Sequence, residues 1–165
     1  MIIDLREVFS QVGKSVGVEF AVDMSDFEYN GCVAVSEPVK AVGRVYNRAG
    51  VVMLEYSADY TFSAPCDRCA DTVTRSVHKS FSHTVVTELC DEEYEELDYL
   101  VAPNMSLDLS EVARDDLLLN MPTKFLCKED CRGICPNCGK SLNSEECVCE
   151  RECDPRLAKL KELLD

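Results

Sequence analysis

From Val51 to Phe62 the sequence reads VVMLEYSADYTF. Apolar side chains fall at Val52, Leu54, Tyr56, Ala58, Tyr60 and Phe62, and most odd positions, Glu55, Ser57, Asp59 and Thr61, are polar. Successive side chains of an extended chain point to opposite sides, so a period of two predicts a half-buried strand. Before it, VKAVGRVY (Val39–Tyr46) is rich in strand formers and runs into the turn-like Asn47–Gly50. After it, TVTRSVHKSFSHTVV puts Val73, Val77, Phe81 and Val85 on one face. An earlier strand is expected in VGVEFAV, Val16–Val22. The links are short, which favours an antiparallel meander over crossover connections.

In DLSEVARDDLLLNMP the pattern changes to a helical one. Asp108 is a cap, Glu111 follows three residues later as in a capping box, and Pro122 stops the helix. Leu109, Val112, Ala113 and Leu117 or Leu118 share the side expected to face the core. In DPRLAKLKELLD, Asp154 is a cap, Pro155 suits the first turn, and Leu157, Leu160 and Leu164 form a stripe. That stripe either folds back on the domain or docks on a partner. The expected fold class is α+β: an antiparallel β-meander sheet with a few short helices and a C-terminal cysteine-rich zinc-knuckle segment. A single domain, 1–165, would comprise a mainly β region (1–90), an acidic linker (91–107), a helix (108–121), the zinc-knuckle segment (127–153) and a terminal helix (154–165).

The 165 residues are 46% apolar, enough for an ordinary domain with a core. No apolar run approaches the roughly 20 residues that span a bilayer, and Asp4, Arg6 and Glu7 interrupt any signal-like segment. A cytoplasmic protein without a membrane association is expected. The formal net charge is −14, which makes broad, nonspecific binding of nucleic acid unfavourable, because such binding relies on Lys and Arg displacing counterions. Glu88–Asp98 (ELCDEEYEELD) holds seven carboxylates and no basic residue. It reads as a solvated loop or, functionally, as a docking site for a basic protein or a mimic of nucleic-acid charge.

Eleven cysteines in a reducing compartment point to metal ligation more than to disulfides. Six of them crowd into Cys127–Cys149, CKEDCRGICPNCGKSLNSEECVC. Cys135-Pro-Asn-Cys138-Gly is a knuckle sequence in which two sulfurs reach one ion and the glycine permits the tight turn. Its complement is Cys147-Val-Cys149, after KSLNSEE. Cys127 and Cys131 are spaced to share one face of a helical turn. Cys66-Asp-Arg-Cys69, at the junction of two strands, can supply the two ligands they lack. Two tetrahedral Zn²⁺ sites are therefore expected, Cys66/Cys69/Cys127/Cys131 and Cys135/Cys138/Cys147/Cys149. A single ion held by the C-terminal six, which leaves Cys66 and Cys69 as free thiols, and no stable metal are the alternatives. The first site would clip the C-terminal segment to the sheet. Cys153 is an alternative ligand, and Cys32 and Cys90 read as small apolar residues.

Catalysis is not expected. Catalytic zinc keeps an open position, usually among His or carboxylate ligands, whereas these ligands are all thiolates. His78 and His83 fall on opposite faces of one strand and read as ordinary sheet residues. A redox role for Cys66 and Cys69 is disfavoured because strands lie on both sides, whereas thioredoxin-type pairs sit where a strand meets a helix. There is no Gly-rich phosphate loop.

The order of features resembles a known family. A β-rich region leads to Cys66-Asp-Arg-Cys69, then an acidic stretch, DLLLNMP, the block LCKEDCRGICPNCGKSLNSEECVC, and DPRLAKL. This is similar to the cysteine-rich form of the YceD family, the large ribosomal RNA subunit accumulation proteins. The resemblance implies a non-enzymatic factor that promotes accumulation or assembly of large-subunit ribosomal RNA. The charge suggests that it docks a basic ribosomal protein or a pre-ribosomal large-subunit particle. Lys124, Lys128, Arg132 and Lys140 against Glu129 and Asp130 leave the cysteine block at a formal +2 before its thiolates are counted, so direct RNA contact stays open. The alternatives are a thiol redox or zinc-responsive sensor and, behind it, an RNA-processing enzyme. The sequence does not set the oligomeric state.

Overall fold

The structure is a computed structural model and describes residues 1–88, 99–144 and 146–149. The chain begins with β1 (Ile2–Asp4) and a short helix α1 (Arg6–Ser10), followed by β2 (Ser15–Val22). A small hairpin, β3 (Glu28–Tyr29) and β4 (Cys32–Val33), leads to three long strands: β5 (Val39–Arg48), β6 (Val51–Pro65) and β7 (Thr72–Val86). Then come β8 (Tyr99–Val101), a 3₁₀ turn at Pro103–Met105, β9 (Ser106–Asp108) and helix α2 (Leu109–Leu119). The fold is α+β and mostly sheet.

The main sheet has the order β2-β5-β6-β7-β8. Its first four strands pair antiparallel, as the short links require. The expected meander ends there, because β8 adds to β7 in parallel, Thr84 opposite Tyr99 and Val86 opposite Val101. Residues 99–107, at the end of the expected linker, thus carry β8 and β9. The latter pairs antiparallel with β1 at the start of the chain. The β5–β6 turn has only two residues between the pair Arg48 and Val51. Ala49 and Gly50 both have positive φ, 54° and 90°, the backbone that a tight two-residue hairpin with right-twisted strands demands.

The period of two in β6 is realised along its length. Val52, Leu54, Tyr56, Ala58, Tyr60, Phe62 and Ala64 are buried, while the residues between them are half-buried or exposed. With Val39, Ala41 and Val45 of β5 and Val18, Phe20 and Val22 of β2 they form one face of the core. Leu109, Ala113 and Leu117 of α2 close over it, with Val112 and Leu118 packed at the margin. Asp108 caps this helix, accepting from the Ser110 N–H at 2.9 Å. The N-terminal amine sits 2.9 Å from the same carboxylate, which ties β1 to the start of α2. Asn47 is the one buried polar residue of the described core. Its Nδ2 donates to Val8 O at 2.8 Å, and its Oδ1 accepts from Gly50 N at 3.0 Å, so α1 is fastened to the hairpin turn.

Candidate metal centre

The β6–β7 connection, Cys66–Asp71, is the anchor of the candidate site. Cys66 N donates to Asp71 O at 2.9 Å and Ala70 N to Cys66 O at 2.9 Å, closing a tight turn in which Ala70 has a φ of 61°. Peptide N–H groups are left pointing inward at the Cys66 sulfur. The segment after α2 is drawn to this turn by hydrogen bonds that do not involve sulfur. Asp67 N donates to Phe125 O, Arg68 Nη1 to Cys131 O at 2.7 Å, and Arg75 Nη2 to Leu126 O at 2.6 Å. Phe125 is buried edge-on against Phe62, with ring centroids 4.8 Å apart. Cys127 and Cys131 thereby arrive opposite Cys66 and Cys69. They do not share a helical turn, as their spacing suggested. The segment is a non-helical turn, Cys131 N to Lys128 O at 3.1 Å, because four residues without a following helical run cannot offset the cost of nucleating a helix.

Eight cysteines gather into two quartets among the described residues: Cys66, Cys69, Cys127 and Cys131, and Cys135, Cys138, Cys147 and Cys149. Within each, the sulfurs all lie within 4.8 Å of one another. In the first, Cys66 and Cys131 are 3.8 Å apart and Cys69 and Cys127 3.6 Å. In the second, Cys135 and Cys147 are 3.3 Å apart and Cys138 and Cys147 3.5 Å. A disulfide requires about 2.05 Å, and none is formed among the described residues. Four thiolates at about 2.3 Å around a tetrahedral ion would stand about 3.8 Å apart, so these separations fit a shared ion.

The second quartet is built locally. Cys135 N donates to Lys140 O and Gly139 N to Cys135 O, and Gly139 takes the φ of 73° that the knuckle turn needs. The chain then turns back along an isolated bridge, Ile134 opposite Ser141, and Leu142 N donates to Gly133 O at 2.9 Å. The two quartets differ in exposure. Cys66, Cys69 and Cys131 are buried with Val73 and Leu126 around them, whereas Cys138 and Cys149 are exposed.

Within each quartet electrostatics pulls some thiols down and pushes others up. Burial pushes the Cys66 thiol up, but the N–H groups of Arg68, Cys127 and Cys69 outweigh it and bring it down to about 6. The Cys138 and Asn137 N–H groups bring Cys135 to about 6 likewise. Cys131 is lowered chiefly by the Asn143 amide. Others are pushed up. The Asp71 N–H pulls Cys69 down, yet burial and the sulfurs of Cys66 and Cys127 push it well above the usual thiol range. Cys149 is pushed up to about 12 by sharing hydrogen bonds with Cys147 and Cys138. Four thiols this close cannot all ionise beside one another; a divalent cation supplies the positive charge that would let them.

The stretch 54–164 matches the family model described as Large ribosomal RNA subunit accumulation protein YceD. The chain belongs to this family. All eight quartet cysteines fall inside the YceD stretch. Uncharacterized proteins of Mycobacterium tuberculosis and Mycobacterium bovis are 33% identical over 110 residues, covering 63% of this chain and 53% of theirs. The Arabidopsis thaliana protein named Large ribosomal RNA subunit accumulation protein YCED homolog 1, chloroplastic, is 21% identical over 174 residues, covering 88% of this chain and 52% of its own. The chain thus spans about half the length of the curated relatives it matches. No solved structure matches it.

Cys32, read from the sequence as a small apolar residue, is instead exposed on the β3–β4 hairpin, where a two-residue strand has no second layer to cover it. Cys90, Cys153, the terminal helix and most of the acidic run lie outside the described residues. His78 and His83 do fall on opposite faces: His78 meets Asp59 at the surface, and His83 Nε2 meets Asp116 Oδ2 of α2 at 2.7 Å. A cleft of about 730 Å³ between α2 and the β7–β8 edge is lined by Asp108, Glu111, Asp115 and Asp116, among others. Among the described residues no helix is long and apolar enough to cross a membrane. Sequence reasoning missed Asp67, Arg68, Arg75 and Asn143, which position the cysteines. Only the Asp-Arg inside Cys66–Cys69 lay where a motif reading could have found it.

Proposed function

We propose that this protein is a non-enzymatic factor in the accumulation of large-subunit ribosomal RNA, with each cysteine quartet holding one structural Zn²⁺. The observation that carries the role is membership of the YceD family across 54–164. The zinc assignment is supported by sulfur separations close to a tetrahedron edge and by donor sets made wholly of thiols, the chemistry of closed structural sites. Closed sites leave no position for an activated water, which is why the quartets are read as architecture. In this reading the protein works in the cytoplasm, where thiols stay reduced.

The partner is a basic ribosomal protein or a pre-ribosomal large-subunit particle. A net charge of −14, the run Glu88–Asp98 and the acidic cleft beside α2 all favour a cationic protein surface over naked phosphate. A metal ion in the first quartet would reinforce the hydrogen bonds that hold the segment after α2 against the sheet and so stabilise the shape presented to that partner.

The test is the ratio of large- to small-subunit ribosomal RNA after depletion, with rescue by wild type and by a Cys135→Ser, Cys138→Ser variant. A selective fall in large-subunit RNA that wild type restores is the expected result. An unchanged ratio overturns the role. Neutralising Glu88–Asp98 is expected to reduce recovery on pre-ribosomal particles, and unchanged recovery removes the acidic-docking part. A second reading, a thiol or zinc-responsive sensor, draws support from the exposure of Cys138 and Cys149. It requires reversible metal loss from the second quartet under mild oxidation.

A further inference from the structure

Asn143 belongs to the loop between Cys138 and Cys147, inside the second quartet, yet its side chain serves the first. Its Nδ2 donates to Cys131 Sγ at 3.2 Å, and its Oδ1 accepts from Arg132 N at 2.9 Å. Both ends of the carboxamide are committed, so its orientation is fixed by its partners: the oxygen meets an N–H and the nitrogen meets a sulfur. The backbone around it is committed too. Leu142 N donates to Gly133 O, and the bridge between Ile134 and Ser141 lays this loop along the chain leaving Cys131. Gly133 sits at the contact. It is buried with a φ of 78°, and a Cβ there would stand 2.9 Å from Arg68 O. Arg68 in turn donates to Cys131 O. The first knuckle, Cys131 and the loop of the second quartet therefore form one packed unit.

We infer that Asn143 is a positioning residue that makes the two metal quartets cooperative. The inference rests on the metal reading given above. The loop carrying Asn143 is pinned at both ends by ligands of the second quartet. When those ligands are gathered, the amide N–H is held against Cys131 Sγ and orients that sulfur toward the other three of its quartet. When they are released, the loop is free at Cys147 and the amide loses its place. Coupling of this kind is reciprocal, so filling the first quartet equally favours the second.

The experiment uses the zinc-loaded full chain, titrated with EDTA and probed by N-ethylmaleimide alkylation, with mass spectrometry reading each cysteine separately. Asn143→Ala is expected to expose Cys66, Cys69, Cys127 and Cys131 at EDTA concentrations lower by about 10- to 100-fold, the usual effect of losing an outer-shell partner. Cys138→Ser with Cys149→Ser, which opens the second quartet, should lower them by a similar factor. The combined variant should show no further loss, because both changes remove the same interaction. Asn143→Asp keeps an acceptor for Arg132 N but turns an anion toward Cys131, and should be at least as exposed as Asn143→Ala. This variant decides the matter if the alanine form does not fold. Wild-type protection in Asn143→Asp, or factors that multiply in the combined variant, overturns the coupling while leaving the metal sites intact. A wild-type chain that takes up no zinc overturns the metal reading, and the coupling with it.

Discussion

Asp67 and Phe125 exchange hydrogen bonds in both directions: Asp67 N donates to Phe125 O at 2.9 Å, and Phe125 N donates to Asp67 Oδ2 at 2.5 Å. This reciprocal pair joins residues 58 apart and holds the post-helix segment on the β6–β7 turn without any help from sulfur. The same carboxylate accepts from Tyr29 Oη at 3.1 Å and Asn30 Nδ2 at 2.7 Å, so the β3–β4 hairpin meets there as well.

All three groups bonded to the Asp67 carboxylate, the Phe125 N–H, Tyr29 Oη and Asn30 Nδ2, are donors, so Asp67→Asn turns an NH₂ group toward at least one of them. We expect a lower thermal midpoint and weaker zinc retention by the first quartet. The pH dependence follows from the carboxyl's lowered pKa, caused first by the Phe125 N–H and then by Asn30 and Tyr29. A depressed folded-state value contributes stability above the ordinary 3.8 and loses it as pH falls through the lower folded value. The gap between wild type and Asp67→Asn should therefore be full near neutrality and close below about pH 4. Thermal melts of the two proteins across pH 3–7 check this, and a gap that widens in acid contradicts it.

The two quartets close loops of different length, and this sets the cost of opening them. Cys69 and Cys127 are 58 residues apart, while Cys135 and Cys147 are 12 apart. With one Zn²⁺ closing each quartet, as proposed, loop-closure entropy makes the first clip worth about 4 kcal/mol and the second about 3 kcal/mol. Cys66→Ser with Cys69→Ser should thus lower the urea midpoint more than Cys135→Ser with Cys138→Ser, and each should remove one zinc from the native mass spectrum. No change in ion count from the first variant would remove the clip.

Much of this architecture is written locally. The alternation from Val51 to Phe62 is enough to place β6 and its buried face, and Asp108 marks the start of α2 one residue ahead of its first turn. Three of the four cysteine pairs are legible as CxxC or CxC, Cys66/Cys69, Cys135/Cys138 and Cys147/Cys149, whereas the CxxxC pair Cys127/Cys131 reaches Cys66 and Cys69 only through the long-range contacts of the fold. What was not legible depends on distant partners. β1 and β9 have three residues each, too few for a period, and exist because residues 106–108 pass beside the N-terminus. β8 is equally short and gains its parallel pairing only from the exposed end of β7. Asn143 carries no motif; its role comes from the fold of a mostly polar loop without a periodic pattern.

Gly43 is paired with Tyr56 across β5 and β6, on the buried side of the sheet. A Cβ at this position would stand 2.2 Å from Glu55 O and 2.4 Å from Tyr56 Cβ, closer than either can yield without moving the strand. Gly43→Ala should destabilise the fold by about 1–3 kcal/mol through overpacking. Gly17 has open space around its Cβ position, so Gly17→Ala is the control expected to be near neutral. Urea denaturation of both measures the contrast, and equal midpoints would mean that β5 relaxes away from β6.

Asp116 of α2 is shared by Tyr56 and His83, whose rings stack on the sheet with centroids 6.4 Å apart. The carboxylate and the imidazole are almost covered, with 13% and 15% of their side chains exposed. The Tyr56 hydroxyl donates to Asp116 from the core side. Removing it in Tyr56→Phe leaves the carboxylate with His83 alone, and a hydrogen bond to a charged acceptor is worth about 1.5–3 kcal/mol. We expect that loss near neutral pH. Burial first, and Asp116 second, push the Tyr56 phenol well above its ordinary 10.0. A raised folded-state value gives stability that is complete below about pH 10 and lost as the unfolded phenol begins to ionise. Phenylalanine cannot ionise, so the deficit of the variant should be constant from pH 7 to 9 and narrow above 10. Denaturant midpoints at pH 7.5 and 10.5 supply the comparison. A deficit that grows with pH would mean that the Tyr56 phenolate forms inside the folded protein, which the neighbouring carboxylate forbids.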